Sequence, residues 1–133
     1  MDFSSLVLME KDKETGFIKE EIGSFAVNEG ALFVKKFYML EDIVYMFFDT
    51  NKNVEEWEYS AIYDLFNVEA FKEKGYEIEE DLDEYNPTYI IKFKYEEDYE
   101  LMKEKIQGCV SLIQKEMDAV FEAIQGKEEE YRE

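Results

Sequence analysis

Six carboxylates fall within one short stretch: Glu77, Glu79, Glu80, Asp81, Asp83 and Glu84, interleaved with Tyr76, Ile78, Leu82 and Tyr85. Carboxylates at this density can hold a divalent cation, work as an acid–base pair, or dock on a basic protein surface with the rings adding apolar contact. As cation ligands, Asp81, Asp83 and Glu84 lack the glycine and the spacing of a Ca²⁺ loop, which leaves only weak, nonspecific binding. A second stretch, Asp49-Thr50-Asn51-Lys52-Asn53, places side-chain oxygens as in the first half of an EF-hand loop. It has Val54 where the loop glycine belongs and Ser60 where the bidentate glutamate belongs, with Lys52 in its middle. It reads as a strand-to-helix turn capped by Asn53. No metal and no cofactor is expected.

Covalent catalysis finds few residues to use. The chain has no histidine, so the commonest general base and the commonest catalytic metal ligand are both missing. Its one cysteine, Cys109, falls on an apolar helical face, where an inert buried thiol is expected. No S-x-x-K, G-x-S-x-G, P-loop or G-x-G-x-x-G pattern occurs. Two carboxylates could hydrolyse a glycoside, but 34 acidic residues nominate no pair. No catalytic residue is assigned.

Docking on a basic partner is the reading that remains. The carboxylates Glu79, Glu80, Asp81, Asp83 and Glu84 would supply the charge and Tyr85 an aromatic anchor. Tyr59 and Tyr63, from the stretch Trp57-Glu58-Tyr59-Ser60-Ala61-Ile62-Tyr63-Asp64, would form an adjacent tyrosine stripe. The plainer alternatives are a solvated acidic loop and rings that cover a sheet. A competing function is a small-ligand or cation-binding domain with a pocket between sheet and helix.

The elements that must position these residues can be read from periodicity. Residues 3–50 read as a β-meander: a strand Phe3 to Glu10, a turn at Asp12 to Gly16, a strand Phe17 to Val27 with a bulge at Gly23, a turn at Asn28-Glu29-Gly30, and strands over 31–40 and 43–50. The last is apolar on both faces, which predicts a central position. Val54, Trp57, Ala61 and Leu65 predict a helix with Ile62 and Phe66 beside its core face, and Val68 to Lys74 a shorter one ended by Gly75. Residues 76–87 read as an acidic connection holding a brief strand at Tyr76 to Ile78. Thr88 to Tyr95 alternates cleanly, and its lysines suit an edge strand.

The strongest pattern is the last. Tyr99, Met102, Ile106, Cys109, Val110, Ile113, Met117, Val120, Phe121 and Ile124 recur at spacings of three and four, predicting one amphipathic helix from about Glu97 to Gln125, with Gly108 a potential bend. Its length of roughly 43 Å exceeds a domain diameter of about 36 Å. An overhanging face predicts self-association, or a protein ligand, through Met102, Ile106, Ile113, Met117, Phe121 and Ile124; the alternative is that the whole face lies across the sheet. The fold class is therefore α+β: an antiparallel meander of about five strands against a long C-terminal helix, with one or two short helices between. Residues 1–126 form one domain and 127–133 a frayed acidic tail.

The net charge of −19 narrows the partners. It argues against nucleic acid and anionic membranes, which need a basic footprint. Residues 54–100 hold sixteen acids against four lysines, a net −12, so most of the excess sits in the middle of the chain. No apolar run is long enough to span a bilayer, and no signal peptide precedes Lys11. A cytoplasmic protein is expected, and its lysine-dominated basic set suggests an AT-rich bacterial genome.

Overall fold

The computed structural model describes residues 5–131. The expected first residues of the opening strand, from Phe3, and the end of the tail, residues 132–133, lie outside the described residues. The chain is α+β, with a mostly antiparallel sheet of six strands rather than about five. The strands are β1 (Ser5–Lys11), β2 (Ile18–Ala26), β3 (Val34–Leu40), β4 (Ile43–Asp49), β5 (Glu77–Asp81) and β6 (Thr88–Lys94). The helices are α1 (Glu56–Leu65), α2 (Glu69–Glu73), α3 (Tyr99–Ala123) and a final turn, α4 (Glu128–Tyr131).

The first four strands are not a simple meander. The sheet order is β2-β1-β3-β4-β6-β5, so β3 lies beside β1, in parallel, and not beside β2. The cause is the segment after β2. Instead of a tight turn into a strand, Glu29–Phe33 forms a 3-10 helix whose cap is Asn28, its Oδ1 accepting from Gly30 N at 2.9 Å. Asn28 Nδ2 also donates to Ser111 Oγ on α3 at 2.5 Å. This carries the chain over the sheet and brings it back on the far side of β1. Gly30 permits the close approach, since a Cβ there would stand 2.3 Å from the Val110 carbonyl oxygen. The β1–β2 register skips Ile22 next to Gly23, a bulge where the apolar phase of the sequence shifts.

Two further expectations are corrected. β6 is an inner strand between β4 and β5, and the outer position belongs to β5. Its lysines do not mark an edge, because Lys92 reaches across to Glu79 on β5 at 3.0 Å. The first helix is capped at Glu55 rather than Asn53, with Glu58 Oε1 accepting from Glu55 N at 2.8 Å. Its buried face is Ala61, Ile62 and Phe66, while Leu65 is 37% exposed.

α3 is shorter than the pattern suggested. Asp98 caps it, Oδ1 accepting from Glu100 N at 2.9 Å and Leu101 N at 3.2 Å, and Gly126 follows it at φ +78°. Its 25 residues span about 37 Å, close to the width of the domain. It runs through Gly108 unbroken. Met102, Ile106, Cys109, Val110, Ile113, Met117, Val120 and Ile124 are all buried, in one cluster with Leu8, Met39, Val44, Met46, Phe48, Tyr89, Ile91 and Phe93 from the sheet. Each such aliphatic side chain contributes roughly 1.5–3 kcal/mol of transfer free energy. Within the segment read as a tail, Tyr131 packs beside the core and donates from its hydroxyl to Asp64 Oδ2 on α1 at 2.6 Å.

Two substitutions test this packing. Gly30→Ala forces the 3-10 helix away from α3 and is expected to lower unfolding stability by about 1–3 kcal/mol in urea titrations. The β3–β4 turn holds Glu41 and Asp42 at φ +50° and +67°, a conformation that costs most residues energy. Asp42→Gly is therefore expected to raise stability by about 1 kcal/mol.

Candidate interaction surface

The acidic run is a structured edge, not a loose connection. Glu77 to Asp81 form β5, paired antiparallel with β6 from Glu77↔Lys92 to Asp81↔Thr88. As the last strand in the sheet order, β5 has a partner strand on one side only. Glu77 and Glu79 belong to one face of the sheet, and Ile78 tucks toward the core from the other. Glu79, Glu80, Asp83 and Glu84 are exposed and Asp81 half-buried. The turn that follows carries Leu82 at 64% and Tyr85 at 78% exposure, so an apolar tip stands among the carboxylates.

Tyr59 and Tyr63 do not share that exposed position. Both are half-buried and point their hydroxyls at the backbone of the acidic hairpin. Tyr63 Oη accepts from Thr88 N at 2.9 Å and lies 3.1 Å from the Asp81 carbonyl oxygen and 3.2 Å from that of Thr88. Tyr59 Oη donates to the Glu84 carbonyl at 3.5 Å. Their rings meet edge to face at 5.0 Å, and Tyr63 lies 5.4 Å from Tyr89 in the core. Burial pushes the Tyr63 phenol well above its ordinary pKa, so it stays protonated and able to donate. Asn53 contributes as well, its Oδ1 accepting from Asn86 Nδ2 at 3.1 Å. These residues hold the hairpin against α1 and the link before it, and leave Leu82, Tyr85 and most of the carboxylates exposed.

The expected self-association stripe has a different place. Met102, Ile106, Ile113, Met117 and Ile124 are 2% exposed or less within a single chain. The helix does not overhang its sheet, so these side chains form the core and present no surface. Phe121 alone of the set is half-buried, with the Lys52 ammonium 4.2 Å above its ring. Beside it is a hollow of about 600 Å³ lined by Thr50, Asn51, Lys52, Asp118 and Glu122 among others.

The would-be cation loop is used internally. Asp49 Oδ1 accepts from Asn51 N at 2.7 Å, Thr50 Oγ1 donates to the Lys52 carbonyl at 2.6 Å, and Lys35 Nζ donates to Asn51 Oδ1 at 2.7 Å. Among the described residues, no three His, Cys, Asp or Glu side chains come together to hold a metal ion. Cys109 is fully buried against Met46, and desolvation pushes its thiol far up. No described helix is long and apolar enough to cross a membrane.

A third feature was not foreseen. The sheet face away from the helices carries an ordered row of lysines and aromatic rings. Tyr38 and Tyr45 stack across β3 and β4 at 5.2 Å, and Tyr38 meets Phe47 at 6.1 Å. Lys11 Nζ caps Tyr38 at 4.1 Å, Lys36 Nζ caps Phe47 at 5.0 Å, and Lys92 Nζ lies 5.7 Å from Tyr45. The sequence signal is the two-sided apolarity of β4, from which only its central position is read.

Residues 1–132 match the family of unknown function DUF6762, and the chain belongs to that family. No curated protein matches the chain, and no solved structure does.

The clamp on the hairpin can be tested apart from any partner. Tyr63→Phe removes the hydroxyl that bridges both strands. It is expected to cost about 1–2 kcal/mol in urea denaturation and to speed hydrogen exchange at the Thr88 amide.

Proposed function

We propose that this member of DUF6762 is a non-enzymatic protein-interaction module whose acidic hairpin receives an extended, basic segment of a partner. The observation that carries the reading is the conversion of the acidic run into an outermost strand with an exposed Leu82–Tyr85 tip. An outer strand offers backbone donors and acceptors to a further strand. Its carboxylates repel most segments that could add there and favour one rich in lysine and arginine. Tyr85 and Leu82 supply the apolar anchors that charge alone does not. The clamp by Tyr59, Tyr63 and Asn53 supports it too, since a pre-ordered hairpin loses less entropy on binding. A cytoplasmic location agrees with a single, buried, unpaired cysteine.

A small-ligand or cation-binding role is the second reading. The hollow beside Phe121 favours it, with Lys52, Asp118 and Glu122 as its charged walls.

Binding of a synthetic peptide alternating lysine with leucine, measured by calorimetry and by amide shifts, separates the two. Shifts are expected along β5 and at Tyr85, with affinity falling steeply as salt rises. Changing Glu79, Glu80, Asp81 and Asp83 together to Ser is expected to abolish binding. Unchanged affinity in that variant, or shifts centred on Phe121, would sink the hairpin reading.

A further inference from the structure

The charge of the molecule is not uniform in sign. On the sheet face away from the helices, the four central strands present Lys11, Lys36, Lys92 and Lys94 against one acid, Asp49, which lies 3.9 Å from Lys35. Of these four lysines only Lys92 has a carboxylate within ion-pairing distance among the described residues. The apolar residues beneath, Tyr38, Tyr45 and Phe47, are half-buried and take no part in the helix-side core. A chain of net charge −19 thus keeps a locally positive, aromatic platform.

Three occupants compete for such a face. The sign of the charge on the central strands argues against a second copy. Across the registered row, from β2 to β5, stand Glu21, Met9, Tyr38, Tyr45, Lys92 and Glu77, with Lys11 reaching over Tyr38 from two residues along β1. A two-fold partner laid face to face would set one lysine-ringed face on another, with Asp49 the one acid that the four central strands place there to offset them. Single-stranded nucleic acid needs free ring faces for its bases, whereas these rings stack on one another and are capped by ammonium groups. The overall charge would repel it as well. What complements lysine heads over an apolar floor is a short acidic segment with apolar side chains.

We infer that the open sheet face, centred on Tyr38, Tyr45 and Phe47 and ringed by Lys11, Lys36, Lys92 and Lys94, docks an acidic polypeptide segment bearing apolar side chains. The surface is separate from the hairpin of the proposed function and has the opposite sign, so one can fail without the other.

The test is an amide-shift titration of the full chain with a synthetic peptide alternating glutamate with leucine and phenylalanine. A lysine–leucine peptide and an oligothymidylate serve as the other arms. Shifts are expected on β3, β4 and β6. Lys36→Glu with Lys94→Glu is expected to weaken binding about tenfold or more, and Lys36→Arg with Lys94→Arg to keep it within about twofold. Circular dichroism checks that each variant is folded. No shift on this face, equal affinity in the charge-reversed variant, tighter binding of the oligonucleotide, or dilution-dependent shifts there that report self-association would each overturn the inference.

Discussion

Everything in this fold depends on one helix covering one face of a six-stranded sheet. α3 is about as long as the domain is wide, and its apolar stripe from Met102 to Ile124 is buried in one cluster with the inner row of the sheet. α1 and α2 fill what α3 leaves, at the end where Phe66 and Phe71 stack around Phe48 and Tyr89. Among the described residues no further helix covers the opposite face. That face must therefore manage its own apolar surface in water. Lysine ammonium groups seated over aromatic rings do this, each covering a ring face with a charge that favours it.

The same constraint shapes the acidic edge. A sheet with one covered face and no closure leaves two outer strands, and each needs protection from further pairing. β5 has it in the form of Glu77, Glu79, Glu80 and Asp81. Its charge therefore has a structural reason besides any docking role. The two reasons are compatible: a strand that rejects most additions is selective for the few that carry opposite charge.

Local periodicity made much of this legible. α3, its glycine stop, the centrality of β4 and the bulge by Gly23 are properties of short windows, and short windows show them. Neighbour relations between distant strands are not. That β3 pairs with β1 depends on how Gly30 packs under Val110, a contact between segments far apart in sequence. The lysines of β6 looked like edge markers because their partners, Tyr45 and Glu79, sit on other strands. At the surface, the density of carboxylates was visible, but their place on an outer strand was not. Nor was the inward aim of Tyr59 and Tyr63, since an amphipathic helix pattern does not say which stripe meets a neighbouring hairpin. The core stripe of α3 looked like an interface for a simple reason. Its pattern reads from about Glu97 to Gln125, four residues longer than the helix itself, so the helix seems too long for its domain.

The lysine–tyrosine row has a kinetic meaning as well. The sheet consists of three hairpins, β1–β2, β3–β4 and β5–β6, each closed by a local turn and able to form on its own in microseconds. They are joined by two seams, β1 to β3 and β4 to β6, whose strands are roughly 30 and 45 residues apart, so the loop-closure entropy falls there. Among the described residues the first seam has two paired positions, Met9↔Tyr38 and Glu10↔Met39. Lys11 over Tyr38 crosses that seam, and Lys92 beside Tyr45 crosses the other. The row thus acts as a stitch at the two places where assembly is slowest and the ladder, at the first of them, is thinnest. Local opening of the folded sheet should begin with release of the β1–β2 hairpin.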